Sequence, residues 1–277
     1  MLFDVDPELC NRDGICSEDC RLIEMKEQDA LPTPIIGAEE LCVHCGHCVA
    51  VCPTGALALN NMSPEDCTEL RKELVINEAQ AEQFLRSRRS IRKYQDKPVE
   101  REKLDRVIQI AGYAPSAHNL RPVHFLVIED RKEVKRLSAL IADWLRFLLK
   151  NAPELVAPYH LDRLLEYWDS GGDPICRNAP HLILSHAVES WQLAHVDCIL
   201  ALAYMELAAM PLGLGATWAG YVMLAASLNP SFNEALNLPK GHKCFGAMMI
   251  GYPTYRFVRM PLRNPPHVTW RKSDEAE

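Results

Sequence analysis

Residues 42–53 read CVHCGHCVAVCP, four cysteines in twelve positions closed by a proline. Thiols at that density serve something other than packing. The chain holds eleven cysteines, seven of them in the first 52 residues, while Cys67, Cys176, Cys198 and Cys244 are scattered through the remainder. An odd total crowded at one end is not a disulfide framework. In a reducing compartment it signals metal or redox chemistry.

The run Cys42, Cys45, Cys48, Cys52, Pro53 has the C-x2-C-x2-C-x3-C-P spacing of bacterial-type ferredoxins, and it resembles them closely. By that resemblance three thiolates hold three irons of one cubane, and the fourth reaches a neighbouring cluster, so a second motif should exist. Zinc is the alternative, but it takes two separated ligand pairs and leaves the fourth cysteine and the proline without a reason. Upstream, CNRDGICSEDC supplies Cys10, Cys16 and Cys20 in the same register, with Asp13 where the second cysteine would stand. The resemblance to two-cluster ferredoxins then implies one iron–sulfur cluster on Cys42, Cys45, Cys48 and Cys20. It implies another on Cys10, Cys16 and Cys52, with Asp13 as candidate fourth ligand. A carboxylate oxygen is harder than a thiolate and suits that corner less well, so the iron there should be labile: either oxygen-ligated 4Fe-4S or 3Fe-4S. Asp13-Gly14 also reads as a plain turn dipeptide, which leaves the corner open to water. Arg21 replaces the proline expected after Cys20.

Length and composition set the frame for this module. A chain of 277 residues has room for a small module and a domain of roughly 200 residues. Apolar residues at 48% and charged residues at 24% are ordinary globular values. A net charge of −7 argues against a nucleic-acid surface. The start MLFDVDPELC lacks the basic and apolar regions of a signal peptide, so a cytoplasmic protein is expected. The most apolar stretch, 193–226, is interrupted by His195, Asp197, Glu206 and Pro211, which favours a buried helix over a membrane span.

The junction shows two helix-start signals. In SPEDCTELRKEL, Ser63 can cap, Pro64 takes the first helical position and Asp66 closes a capping box; Asn77 then opens NEAQAEQFLRSRRS. The expected organisation is an iron–sulfur domain over 1–60, a connector helix over 61–78 and a larger domain over 79–277.

Residues 86–99, RSRRSIRKYQDKPV, place four arginines around the end of the second helix. Alone, such a run reads as a solvated face. It is followed by a helix, VEREKLDRVIQIAGY, and then by APSAHNLRPVHFLVIED, a small-residue loop leading into a β-rich strand. The R-R-S-I-R-x-Y run with its following P-V, then the A-P-S-x-x-N-x-x-P-x-x-F loop, resemble the nitroreductase-like flavoprotein family over about residues 79–277. ATWAGY after a long apolar helix, and IGYP followed by RMPLRNPP, extend the match. The resemblance implies an α+β fold, a sheet with flanking helices in a homodimer, carrying the small ferredoxin-type α+β module at its N-terminus.

It also implies FMN. Arg88, Ser90 and Arg92 match phosphate and ribityl contacts, with Arg89 contributing backbone, and Arg259 and Arg263 match basic residues returning from the C-terminal segment. Planar guanidinium forks suit a phosphate dianion. If both arms close on one phosphate, the two ends of the domain must meet. Pro115, Ser116, Ala117, His118 and Asn119 match the loop that covers the flavin of the neighbouring subunit. Asn119 offers a donor and an acceptor to the ring edge; His118 is open between a structural role and a substrate contact. Ala219 and Gly220 match the place where backbone amides approach flavin N5, the alternative being that AGY merely begins a buried strand. Cys176, Cys198 and Cys244 lie in apolar surroundings and read as inert thiols.

Clusters pass single electrons and a flavin collects two, so the implied activity is reduction of a small organic acceptor: a nitroaromatic, a quinone or an activated alkene. Electrons would come from a protein carrier or from NAD(P)H. No catalytic acid is identified. A dehydrogenase sending electrons out through the clusters, or a redox relay without its own substrate, fits the same residues.

Overall fold

The structure, a computed structural model, describes residues 2–27 and 29–271. The N-terminal module comprises β1 (Phe3–Val5), α1 (Ile15–Asp19), β2 (Ile23–Glu24), β3 (Thr33–Pro34), α2 (Ala38–Leu41), α3 (His47–Val51) and β4 (Leu57–Leu59). β1 and β4 pair antiparallel, Phe3 opposite Leu59, so the ends of the module close on each other. Its core is small: Leu2, Phe3, Ile23, Ala38, Val49, Leu57 and Leu59, with Cys16, Cys20, Cys42 and Cys48 packed among them. Cores of that size need a staple, and a metal supplies one.

The expected connector helix over 61–78 does not form. The capping signal is real, since Asp66 accepts from both the amide and the hydroxyl of Ser63 at 3.0 and 3.1 Å. The chain nevertheless makes only one 3-10 turn at Pro64–Asp66 and another at Lys72–Leu74. Leu70, Leu74, Val75 and Ile76 are all exposed. A short helix with no apolar face to bury does not recover the cost of its nucleus, whatever its cap. The next signal succeeds: Asn77 and Gln80 exchange amide-to-side-chain bonds at 2.9 Å and open α4 (Glu78–Ser87).

Beyond it lie α5 (Arg101–Ala111), β5 (His124–Ile128), α6 (Arg131–Asn151), α7 (Pro153–Val156), α8 (Leu161–Asp169), β6 (His181–Val188), α9 (Ala194–Ala209), β7 (Gly215–Trp218), α10 (Gly220–Leu228), α11 (Pro230–Leu236) and β8 (His242–Gly251). The four long strands form one antiparallel sheet in the order β5-β6-β8-β7. β6 is buried on both faces through Ala187, its polar members His181, Ser185 and His186 included. Leu182 and Leu184 face a layer containing Ile141, Leu145, Leu165, Val222 and Phe232. Ile183 faces the opposite layer, with Leu104, Val107, Leu202 and Met205. The sheet thus lies between α6, α8, α10 and α11 on one side and α5 and α9 on the other. α9, the apolar stretch of the sequence, is an internal helix, and among the described residues no helix is long and apolar enough to cross a membrane.

The two ends of the larger domain meet, as closure on one ligand requires. Tyr94 bridges Pro253, Gln95 N donates to Tyr252 O at 2.8 Å, and Thr254 N donates to Lys93 O at 3.0 Å.

Candidate functional site

The thiols gather in two sets. Cys10, Asp13, Cys16 and Cys52 line one cavity of about 20 Å³, closed by Val5, Met25, Pro32 and Leu57. Burial, then the neighbouring Cys52 and Cys10, push the Cys16 thiol up. Burial likewise raises Cys48, to about 11, with Cys20, Cys45 and Cys42 adding to the shift. Crowded buried thiols of this kind become thiolates only when a cation neutralises them. Among the described residues no three such groups converge tightly enough to hold a single ion. A four-iron cubane spreads its ligands over a larger volume.

The two halves share a backbone. Gly14 and Gly46 hold φ of 76° and 78° as N-caps of α1 and α3, and Arg12 and His44, two residues before each, are also left-handed at 61° and 49°. A side chain at Gly46 would in addition meet the Met62 sulfur at 2.7 Å. Asp13 therefore occupies the backbone position that Cys45 holds in the other half. Its Oδ1 accepts from Ile15 N at 3.1 Å.

Of the arginines, Arg88 and Arg89 line a cleft of about 1030 Å³ together with Arg86, Glu206, Pro253, Tyr255 and Arg259. A second recess joins Arg88 and Arg89 to Arg263. The two arms therefore do converge. Arg89, which lines that cleft, keeps a buried Nε with no partner among the described residues, and an orphaned guanidinium donor beside such a cleft suits an anionic ligand. Ser90 and Arg92 are not among the residues lining either recess.

The loop Pro115–Asn119 lies elsewhere in the chain, over a small cavity that Pro115 and Ser116 line with Asp197. Ala117 N donates to Asp197 at 3.2 Å, and Arg121 N donates to the Ser116 hydroxyl at 2.9 Å. His118 is exposed with φ of 52°. Asn119, read from sequence as a flavin contact, donates its side-chain amide to the carbonyls of Val43 and His44 at 3.1 and 3.0 Å. The loop thereby joins the two modules.

At ATWAGY the strand ends at Trp218 and a helix begins at Gly220, so AGY does not start a buried strand. Ala219 N is already committed to Ala247 O at 2.9 Å. Gly220 remains exposed, and a Cβ there would meet nothing within 4 Å. Packing inside the chain gives no reason for glycine at this position, whereas a flat ligand laid against it does.

Three residues of the candidate site escaped the sequence reading. Glu206 and Asp197 were noted only as interruptions of an apolar run. In the structure Glu206 accepts from Arg88 at 2.9 Å and from Trp218 Nε1 at 3.3 Å. Asp197, 2% exposed, accepts from Trp191 Nε1 at 2.8 Å as well as from the loop. The signal was present: an acid inside an otherwise apolar helix must find a partner when the helix is buried. Trp218 gave none.

The arrangement has counterparts among known proteins. Residues 85–252 match the Nitroreductase family, and residues 38–58 match the 4Fe-4S binding domain. An NAD(P)H-dependent FMN reductase of Bacillus subtilis is 30% identical over 184 residues, 64% of this chain and 67% of the relative. A crystal structure of a Bacteroides fragilis nitroreductase with bound FMN covers 71% of this chain and 100% of its own, at 22% identity and a TM-score of 0.59. One from Desulfitobacterium hafniense, also FMN-bound, covers 70% and 95% at 22% identity and 0.53. These two establish the fold. With its family match spanning the larger domain, the chain belongs to the nitroreductase family of FMN-dependent oxidoreductases and carries a 4Fe-4S binding domain at its N-terminus.

Proposed function

We propose that this protein is an FMN-dependent reductase that draws electrons through two iron–sulfur clusters of its own and passes them to a small organic acceptor such as a nitroaromatic, a quinone or an activated alkene. The observation that carries the reading is the bond pair from Asn119 to Val43 and His44, which holds the cysteine module against the loop matched to the family's flavin cover. Since that loop matches the cover of the neighbouring subunit's flavin, a module tethered there serves transfer across the homodimer. When bound, FMN supplies two-electron chemistry and the clusters supply single-electron transfer.

The chain's own residues divide the remaining tasks. Arg88, Arg89, Arg259 and Arg263 hold the phosphate, with Glu206 fixing the Arg88 fork. Gly220 leaves its backbone open to the ring, and Asp197 steadies the covering loop. Cys42, Cys45, Cys48 and Cys20 hold one cluster; Cys10, Cys16 and Cys52 hold the second, with Asp13 at its fourth corner. The protein works as a homodimer. Tyr255, Phe257, Val258, Leu262, Val268 and Trp270 are exposed along the C-terminal segment, an apolar strip that a second copy would cover. The iron–sulfur domain takes residues 1–60 and the flavin domain 79–277.

Anaerobic purification with iron, sulfide and flavin quantified per chain tests the cofactor content. Stopped-flow reoxidation of the reduced protein against a compound panel then tests the reaction. Rapid flavin reoxidation by a small acceptor supports the reductase; turnover only with a protein partner would replace it with a relay.

A further inference from the structure

We infer that Asn119 is a latch, and that it makes the cluster on Cys20, Cys42, Cys45 and Cys48, rather than the one on Cys10, Asp13, Cys16 and Cys52, the immediate electron partner of the flavin. The inference rests on the proposed reductase and adds the order of its centres.

Both amide hydrogens of Asn119 are spent on consecutive carbonyls, Val43 O at 3.1 Å and His44 O at 3.0 Å, which immediately precede Cys45. The latch is held firmly from each side. Asn119 Oδ1 accepts from Arg121 Nε at 3.2 Å, and the loop is pinned to buried Asp197 through Ala117 N. On the module, the His44 ring meets Asn61 Oδ1 at 3.2 Å. Asn119 and His44 both sit at positive φ, 52° and 49°, conformations that persist where surrounding contacts over-determine them. Cys45, the exposed ligand of its set, directly follows the two latched carbonyls, while Cys48 is buried inside the module. The other set is enclosed by module residues, Val5, Met25, Pro32 and Leu57 among them. Two halves with one backbone thus differ in which of them touches the flavin domain.

The redox balance is simple. Each transfer oxidises a reduced 4Fe-4S centre by one electron and gives that electron to the flavin. Two transfers and two solvent protons complete one flavin reduction, and a low-potential protein carrier recharges the centres.

The test uses the full holoprotein with Asn119→Ala and Asn119→Asp, iron, sulfide and flavin being counted first. Paramagnetic resonance should show altered g values for the Cys45 cluster and unchanged values for the other. After flash reduction of the clusters, flavin reduction should slow by about tenfold or more, the scale on which small displacements of a reacting pair act. Asp should act more strongly than Ala, because its carboxylate would face two carbonyls. Normal transfer and resonance in flavin-replete Asn119 variants would overturn the latch, as would flavin loss with normal transfer in the molecules that retain it. Slowed transfer with altered g values for the other cluster alone would reverse the order. Wild-type protein without clusters would instead overturn the reductase reading itself.

Discussion

In the cysteine module every candidate ligand lies between residues 10 and 52, and seven of the eight are cysteines. In the flavin domain the candidate phosphate cleft joins Arg88 and Arg89 to Arg259 across more than half the chain, and its key carboxylate, Glu206, comes from a third segment. Short loops with left-handed glycines at 14 and 46 can shape a metal site almost unaided. A phosphate cleft needs a finished sheet before its arms can meet. The difference teaches that the two sites should fail independently, except where Asn119 joins them.

The largest expected effect tests that independence from the module side. Cys48→Ser should remove about half of the iron and sulfide, because a buried ligand leaves a cubane that cannot close. Flavin per chain should be unchanged. Coupled loss of flavin would break the comparison.

Arg88→Ala tests it from the other side. Arg88 is 27% exposed and Glu206 9%, so removing the arginine strands a nearly buried carboxylate. We expect a cost of ~2 kcal/mol, below the ~3–5 kcal/mol of fully buried pairs, together with weaker FMN binding. Calorimetry and flavin titration check both, and iron content should hold.

Asp13→Cys sharpens the contrast between the module's own halves. It should change the resonance signal of the first-half cluster only, and an unchanged signal would remove Asp13 from the ligand set.

The smallest effect is one of pH. Near one end of the sheet His124, His186 and His242 pack together, with centroids 4.9 to 5.5 Å apart. Burial, then the neighbouring His242 and His124, hold His186 down at about 4, below its ordinary 6.5. Between those values the unfolded chain binds the proton and the folded chain does not. Stability should therefore fall as pH drops from about 6.5 to 4, and His186→Gln should flatten that slope in the flavin domain. An unchanged acid limb in thermal melts would show that His186 is not responsible.

Much of the fold was legible because its signals were local. Asn77 starts the helix it announced, and the apolar stretch from residue 193 opens with the buried helix its composition suggested. Ser63 and Asp66 show the limit of such signals: the same chemistry was present, yet no partner surface lay beside it and one turn was all that formed. At the candidate site, Arg88 and Arg89 line one cleft with Arg259, while Ser90 and Arg92 stay outside its lining. Asn119 turned from the ring edge it was expected to contact toward the iron–sulfur loop, since no spacing in the chain tells a side chain which module will lie against it.

The sequence by itself determined the cysteine register and the family, because cysteine spacing and the arginine and loop motifs act over a few residues. Only the tertiary structure decided that Glu206 braces Arg88, that Asp197 pins the loop at 115–119, and that the Cys45 half rather than the Asp13 half meets the larger domain. Those outcomes depend on which surfaces a folded sheet and its helices bring within hydrogen-bond reach, and that reach is a property of packing rather than of order along the chain.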